Sequence, residues 1–319
     1  MNPPTTNEIA TKQNTEGQIL RLAAMSRVYS RAKFVLGTQF ILTVPAGLAT
    51  AIIASQVPSL KHWTVTYSFA VALLDALFLE KYQNSLKKQG AKIQEAFDCD
   101  VLGLEWRKPK AGDPVDTETV REEGTAFLTK HPDAAGIRDW YPPVVSQIPL
   151  PLARLICQRA NCWWDAKLRR RYSYTLKVTL WVLTALVLMF GLHGNQTLGQ
   201  LVLAFVAPLS PALLWGIREI RKQNEAAEAL DKLRGQIEQV WEQAFDGTLG
   251  EDALLVTSVD FQNEILERRS RHPLIFNWIN SWVRDKQQTS MEAKAAELVA
   301  YANARLSARG SAGVQDGKP

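Results

Sequence analysis

The chain has 319 residues, of which 46% are hydrophobic and 22% are charged, and its formal net charge is +5 at pH 7. This hydrophobic share excludes a disordered chain. The odd number of cysteines argues against a disulfide framework, and the histidines lack metal-ligand spacing, so we expect no metal and no cofactor. Glycine-rich phosphate loops and the nucleophile-elbow motif are also missing. The sequence therefore predicts a protein that is not an enzyme.

Four stretches with almost no charge each have about the 17–25 residues that a helix needs to cross a bilayer. They cover residues 34–57, 63–79, 178–192 and 198–217, and the third reaches this length if it begins near Tyr174. Short turns join the first stretch to the second and the third to the fourth. The sequence thus predicts an all-α membrane protein with four transmembrane helices in two hairpins, and a largely helical cytoplasmic domain built from two inserts.

Basic residues lie almost entirely on one side of these predicted spans. Lys61 is the single basic residue in a short external loop, whereas lysines and arginines flank every opposite span end. Such an excess marks the cytoplasmic side of a membrane. We therefore expect a multi-pass protein with both termini in the cytoplasm.

The predicted topology divides the chain into six segments. These are a cytoplasmic N-terminal helix (1–33), the first transmembrane hairpin (34–79), a cytoplasmic insert (80–173), the second transmembrane hairpin (174–217), a cytoplasmic helical region (218–309) and a disordered tail (310–319). Apolar spacing of three and four residues predicts that helices continue inward after residues 79 and 217. It also predicts helices over 254–271 and 290–307, and residues 99–106 suggest a short strand.

Polar side chains form an aligned stripe on each of the first two predicted spans. They are Gln39, Thr43 and Thr50 on the first span and Thr64, Ser68 and Asp75 on the second. Asp75 is the only charged residue within the four spans, and an unpaired charge at that depth is costly. Two interpretations stay open. The stripes line an aqueous pore that includes Asp75, or they face other helices within the bundle while Asp75 pairs with Lys177.

A basic and aromatic segment, residues 155–172, precedes the third span. If it is helical, four of its side chains, separated by four, four and three residues, lie on one face. This face consists of Arg159, Trp163, Lys167 and Arg170. Arginine binds phosphate oxygens and indole rings stack on bases, so the face is a candidate nucleotide-binding site. The alternative is a juxtamembrane anchor, with tryptophan at the lipid headgroups.

A series of polar and aromatic motifs follows a fixed order along the chain. They are Phe97-Asp98, Leu104-Glu105-Trp106, Asp139-Trp140-Tyr141, Ile156-Cys157-Gln158-Arg159, Asn161-Cys162-Trp163-Trp164-Asp165, Lys167-Leu168-Arg169-Arg170, Gln262-Asn263-Glu264-Ile265, Arg268, Pro273-Leu274-Ile275 and Trp278. In these motifs and in the two-hairpin layout, residues 7–305 resemble the SMODS-associated four-transmembrane effector family.

This resemblance implies a bacterial antiphage (antiviral) defence protein of the cyclic-oligonucleotide signalling type, known as CBASS. In such systems a nucleotidyltransferase makes a cyclic oligonucleotide upon infection, and the effector disrupts the inner membrane, which causes abortive infection. We accordingly expect a pore-forming effector of the bacterial inner membrane that is opened by a cyclic oligonucleotide and is functionally paired with a nucleotidyltransferase.

The expected partners are this ligand, the lipid bilayer and further copies of the chain, but no DNA or RNA polymer. Further copies are expected because a single four-helix bundle fills its own centre with side chains. The alternative function is a non-conducting, membrane-anchored sensor or scaffold that recruits a cytoplasmic partner.

Overall fold

The computed structural model describes residues 6–134, 136–193, 197, 199, 207–246 and 248–315, and regular secondary structure within these residues is helical throughout. The helices are α1 (Ile9–Lys12), α2 (Glu16–Thr43), α3 (Pro45–Gln56), α4 (Lys61–Leu74), α5 (Glu80–Leu102), α6 (Lys108–Ala111), α7 (Thr117–Leu128), α8 (Leu150–His193), α9 (Ala207–Asp246), α10 (Glu251–Arg271) and α11 (Asn277–Gln315). A π-helical segment, Asp75–Leu79, joins α4 to α5. The all-α prediction is confirmed for this part of the chain.

Two helical stretches are long and apolar enough to cross a membrane, Glu16–Thr50 and His62–Leu102. The most apolar window of the second stretch has none of its residues buried inside the protein, so it is not the core helix of a soluble domain. Phe34 and Trp63 are 77% and 62% exposed. Such a continuous apolar surface requires a covering, and lipid tails would supply it. These stretches include residues 34–50 and 62–79 of the predicted first hairpin.

The predicted second hairpin is described only in part. Helix α8 enters it and ends at His193, and α9 begins at Ala207, so residues 194–196 of the connecting turn and residues 198 and 200–206 of the fourth predicted span lie outside the described residues. Where α8 is described at this level, its apolar side chains face outward, as at Trp181, which is 75% exposed.

Helices α8 and α9 run without interruption from the predicted second hairpin into the rest of the molecule. Helix α8 has 44 residues and α9 has 40, which correspond to lengths of about 66 and 60 Å. Both exceed the hydrocarbon core of a bilayer, which is about 30 Å thick. The predicted helical continuation of the second span as α5, and of the fourth span as α9, is confirmed, while its inward direction stays a prediction.

The described residues outside the predicted spans (6–33, 80–134, 136–173, 218–246 and 248–315) form the head domain. Buried side chains from α2, α5, α8, α9, α10 and α11 belong to one hydrophobic cluster there. Helix α2 packs against α5 and α7, α8 packs against α9 and α11, and α10 contacts both α5 and α8. The two inserts therefore share a core, although they are separated in sequence by the second predicted hairpin.

Three sequence predictions about local structure need correction. Residues 99–106 form no strand, because α5 continues to Leu102 and ends at Gly103, whose φ of +62° supplies a left-handed cap. Short apolar runs do not distinguish a strand from a buried helix end. Helix α11 begins at Asn277, well before residue 290, because the break at Pro273 spans only a few residues. It also extends to Gln315, so helix covers the start of the predicted disordered tail.

The first apolar stretch is interrupted at Pro45. Helix α2 ends at Thr43 and α3 begins at Pro45, because proline has no N–H to continue the backbone ladder. Across the hairpin, the hydroxyl of Tyr67 donates a hydrogen bond to the Leu42 carbonyl oxygen at 2.8 Å. The bond satisfies a polar backbone group beside the break and ties α4 to α2.

Candidate functional site

The predicted nucleotide face lies on α8, and carboxylates of α9 cover part of it. The Nε of Arg159 donates to Glu238 Oε1 at 2.7 Å, and Arg170 forms an ion pair with Asp231. The Nζ of Lys167 lies 4.4 Å from the centre of the Trp163 ring, in a cation–π contact. The structure therefore brings the four residues together, but neutralises both arginines within the chain. Nucleotide binding by this face stays a prediction.

A third arginine stands between the two carboxylates on α9. Arg234 lies 3.1 Å from Asp231 and 3.7 Å from Glu238, so it competes with the α8 arginines for the same acids. A cavity of about 510 Å³ adjoins Arg159 and Glu238, and Lys294 and Trp241 also line it. This contact between α8 and α9, made of Arg159, Arg170, Asp231, Arg234 and Glu238, is called the ion-pair ladder below.

The two polar stripes of the first hairpin meet at the level of Asp75. The amide Nε2 of Gln39 donates to Asp75 Oδ1 at 2.6 Å, and Gln83 Nε2 donates to Gln39 Oε1 at 3.0 Å. Asp75 and Lys177 are both described, and the carboxylate of Asp75 bonds to Gln39 instead of Lys177. The predicted Asp75–Lys177 ion pair is thus wrong, because the Asp75 carboxylate is instead bound by the side-chain amide of Gln39 on the adjacent helix.

The remaining stripe residues divide between internal contacts and exposure. Thr64 Oγ1 donates to the Thr50 carbonyl oxygen at 3.3 Å, which again joins the two helices of the hairpin. Thr43 is exposed, and the exposed Ser68 bonds back to its own helix through the Thr64 carbonyl. Four of the six stripe residues therefore contact the partner helix within one chain. Their lining of a pore stays a prediction.

A cavity of about 760 Å³ lies where the first hairpin meets the head domain. Gln39, Thr43 and Asp75 line it from the hairpin, together with groups of both charges from the head domain. The latter include Glu80, Lys87, Glu219, Lys222, Glu225, Arg271 and His272. Asp75 also begins the π-helical segment, a rare geometry that often marks functional positions. Asp75 therefore lines a cavity that it shares with charged residues of the head domain.

Motif residues that are distant in sequence meet in a buried polar network at the centre of the head domain. Asp98 is fully buried and accepts hydrogen bonds from Tyr141 Oη at 2.6 Å and from Arg269 NH1 at 2.5 Å. Gln262 Nε2 donates to Glu95 Oε2 at 2.9 Å and to Asp98 Oδ2 at 3.1 Å. This network links α5, α10 and the segment before α8.

Burial sets the ionisation of this network. Burial and, after it, the neighbouring charge of Asp98 raise the pKa of Glu95 to about 7, although Arg269 lowers it. Burial also opposes the charge on Arg269, yet Asp98 holds the pKa of that guanidinium above its usual value. Arg269 therefore remains charged beside two carboxyl groups, of which Glu95 takes up a proton near neutral pH.

Helix α8 joins the same network through two further motif residues. Asn161 Nδ2 donates to Tyr141 Oη at 2.9 Å, and Gln158 Nε2 donates to the Ser258 carbonyl oxygen at 2.7 Å. Both residues belong to the sequence motifs, but the motifs do not predict that they meet. The sequence does contain a signal for this network, because polar residues occupy positions of an otherwise apolar helical pattern. Burying such side chains without hydrogen-bond partners is costly, so they are expected to find one another.

Comparison with known proteins identifies the family. The model of the SMODS-associating 4TM effector domain matches residues 7–298. The chain belongs to this family. It is also 24% identical over 228 residues to a protein of Bacillus cereus (strain VD146) described as a probable CBASS effector molecule, with 69% of this chain and 76% of the relative covered. No solved structure matches the chain.

The family assignment confirms the resemblance seen in the sequence motifs. It makes the chain a member of an effector family named for membrane helices, in agreement with the two long apolar stretches. Among the described residues, no group of three or more histidine, cysteine, aspartate or glutamate side chains is arranged to hold a metal ion.

Proposed function

We propose that this chain is a pore-forming effector of bacterial antiphage defence that a cyclic oligonucleotide opens. The observation that carries the proposal is the continuity of helices between the apolar stretches and a packed head domain, in a chain of an effector family. Any rearrangement of the head domain moves the same rigid helices that enter the membrane. The protein acts without catalysis, by abolishing the ion gradients of the infected cell.

The proposed topology has four transmembrane helices in two hairpins, with both termini on the cytoplasmic side of the bacterial inner membrane. The charge asymmetry of the sequence supports this orientation. Since one four-helix bundle fills its own centre, an aqueous path requires several copies of the chain. The polar groups on α2, α3 and α4 are available to face such a path, and a ring of Asp75 carboxylates would favour cations.

The proposed ligand acts by binding the open assembly more tightly than the closed one, since differential affinity is what shifts a conformational equilibrium. A nucleotidyltransferase supplies the ligand upon infection. The relative from Bacillus cereus carries a CBASS effector description, which supports this pathway for the present chain.

A second candidate function is a membrane-anchored sensor or scaffold that conducts no ions. The hydrogen bonds from Gln39 to Asp75 and from Thr64 to Thr50 favour it, because they satisfy polar stripe groups within a single chain. In this case the hairpins hold the head domain at the membrane, where it recruits a cytoplasmic partner.

Potassium release from liposomes separates the two functions. Purified protein is reconstituted into potassium-loaded vesicles, and cyclic di- and trinucleotides are added outside and inside. A pore-forming effector releases potassium with one of these nucleotides and retains it without any. A scaffold retains potassium under every condition, even when calorimetry shows that the nucleotide binds. Protein-free vesicles are the control.

A further inference from the structure

We propose that Asp231 and Glu238 of α9 act as internal substitutes for ligand phosphates, which hold the α8 arginines until a phosphodiester-bearing ligand displaces them. The ion-pair ladder is then an autoinhibitory contact placed on the ligand site itself. This inference rests on the proposed function, because it assigns a site and a mode of regulation to the cyclic nucleotide.

The two helices present their charges in matching order. Arg159 and Arg170 are about three turns apart on α8, and their partners Glu238 and Asp231 are about two turns apart on α9. Because α8 runs towards the second predicted hairpin and α9 runs away from it, the later residue of α8 meets the earlier residue of α9. The ladder thus has an acid of α9 opposite each of the two arginines of α8.

The chemistry of the ladder suits an exchange of one anion for another. A guanidinium group binds carboxylates and phosphates with the same planar set of N–H donors. The Arg159 side chain is 17% exposed and that of Arg170 is 54% exposed, so an incoming anion reaches both. Each pair has one partner open to solvent, Glu238 at 43% and Arg170 at 54%, and solvent screening there reduces the net stability that the pair contributes. A ligand with two phosphate charges would therefore displace both carboxylates at a modest cost.

The residues between the two arginines complete a nucleotide site. Lys167 and Trp163 contact one another on the same face, and both side chains are partly exposed. The lysine supplies a third positive charge, while the indole ring supplies a plane on which a base can stack. The cavity beside Arg159 and Glu238, of about 510 Å³, offers room for part of a cyclic dinucleotide.

Displacement of the carboxylates would loosen the contact between α8 and α9. These helices pack extensively against each other, and they lead into the third and fourth predicted spans. Ligand binding would then favour a conformation in which α9 moves away from this face of α8. A ligand shifts the population of two states only by binding one of them more tightly. Here the difference in affinity arises because the ligand phosphates take the place of the carboxylates on the α8 arginines.

Calorimetric titration of four probes tests the inference in detergent: cyclic di-AMP, cyclic di-GMP, cyclic GMP–AMP and cyclic tri-AMP. Removing a competing carboxylate by Glu238→Gln or Asp231→Asn should tighten binding of the active probe by about threefold to fivefold each. Arg159→Gln and Lys167→Gln should weaken it by about tenfold. Glu228→Gln, which removes an exposed carboxylate elsewhere on α9, is the matched control and should bind like the wild type.

The outcomes separate this inference from the proposed function. If a probe binds the wild type but the Glu238→Gln and Asp231→Asn proteins bind it no more tightly, the inhibitory role of the ladder is wrong while nucleotide activation stands. Normal binding by Arg159→Gln and Lys167→Gln would likewise remove the site from α8. If no probe binds any protein of the series, both the inference and activation by these nucleotides fail.

Discussion

Glu95 and Asp98 lie almost one turn apart on α5, and both carboxyl groups are enclosed by the head domain next to a single arginine. The folded chain holds the Glu95 proton up to a pH of about 7, whereas the unfolded chain releases it near the ordinary value of 4.5. Between these two values the folded state binds more protons than the unfolded state. Stability therefore falls as the pH rises through this window.

Replacement of Glu95 by glutamine removes this pH dependence. The amide keeps an acceptor oxygen near Gln262 but cannot ionise, so Glu95→Gln should gain stability relative to the wild type as the pH rises from 5 to 8. Thermal unfolding midpoints of detergent-solubilised protein at these two pH values measure the effect. Glu297→Gln, at an exposed carboxylate, is the control. A difference between Glu95→Gln and wild type that is the same at both pH values would show that Glu95 ionises normally when folded.

The sequence predicts which basic residues share one helix face better than it predicts their partners. Arg159 and Arg170 follow from helical spacing alone, since four residues of one face recur within a few turns. Their acids lie 79 and 61 residues away along the chain. Such pairs depend on how α8 and α9 pack, which periodicity within one helix does not determine. The pairing of Asp75 with Lys177, one of the two interpretations of Asp75, rests on depth alone, and depth does not predict the bond from the Gln39 amide.

Helix packing in the head domain depends on close approach at particular glycines. A side-chain carbon added at Gly124 in α7 would lie 2.6 Å from both the side chain and the carbonyl oxygen of Leu20 in α2. At Gly235 in α9, the added carbon would have no neighbour within 4 Å. Glycine also destabilises a helix interior relative to alanine, so the two positions should respond in opposite directions.

Gly124→Ala should lower the free energy of unfolding by about 1–3 kcal/mol, because the backbone of Leu20 cannot yield as a flexible side chain would. Gly235→Ala should raise it by about 0.5–1 kcal/mol through helix propensity. Denaturant unfolding of both variants beside the wild type measures the difference. Equal effects at the two glycines would show that α2 and α7 are not packed this closely.

Helices with a strong apolar periodicity can be predicted from the sequence, but the points at which they are interrupted cannot. Helices α5 and α9 continue from predicted spans because apolar residues recur at spacings of three and four. The π-helical segment at Asp75–Leu79 leaves no such mark in the sequence. Gly103 ends α5 with a left-handed cap, a signal that the predicted strand over 99–106 overlooked.

The orientation of the whole molecule in the membrane is accessible to thiol chemistry. Cys99, Cys157 and Cys162 are all buried, so they contribute little labelling in the folded protein and need no removal. Ser59→Cys, in the turn of the first hairpin, should react with an impermeant reagent in intact cells. Asp252→Cys, exposed on the head domain, should react only after permeabilisation. Labelling of Asp252→Cys in intact cells would reverse the proposed topology.

Current through planar bilayers tests most directly that a cyclic nucleotide opens an ion path. Under a potassium chloride gradient, wild-type protein should show stepwise cation-selective currents once the active probe is added on the head-domain side. Asp75→Asn retains an acceptor for Gln39, so it should assemble normally, and loss of its charge should move the reversal potential towards zero. Bilayers that stay silent with wild-type protein, at nucleotide concentrations where binding is measured, would contradict a pore.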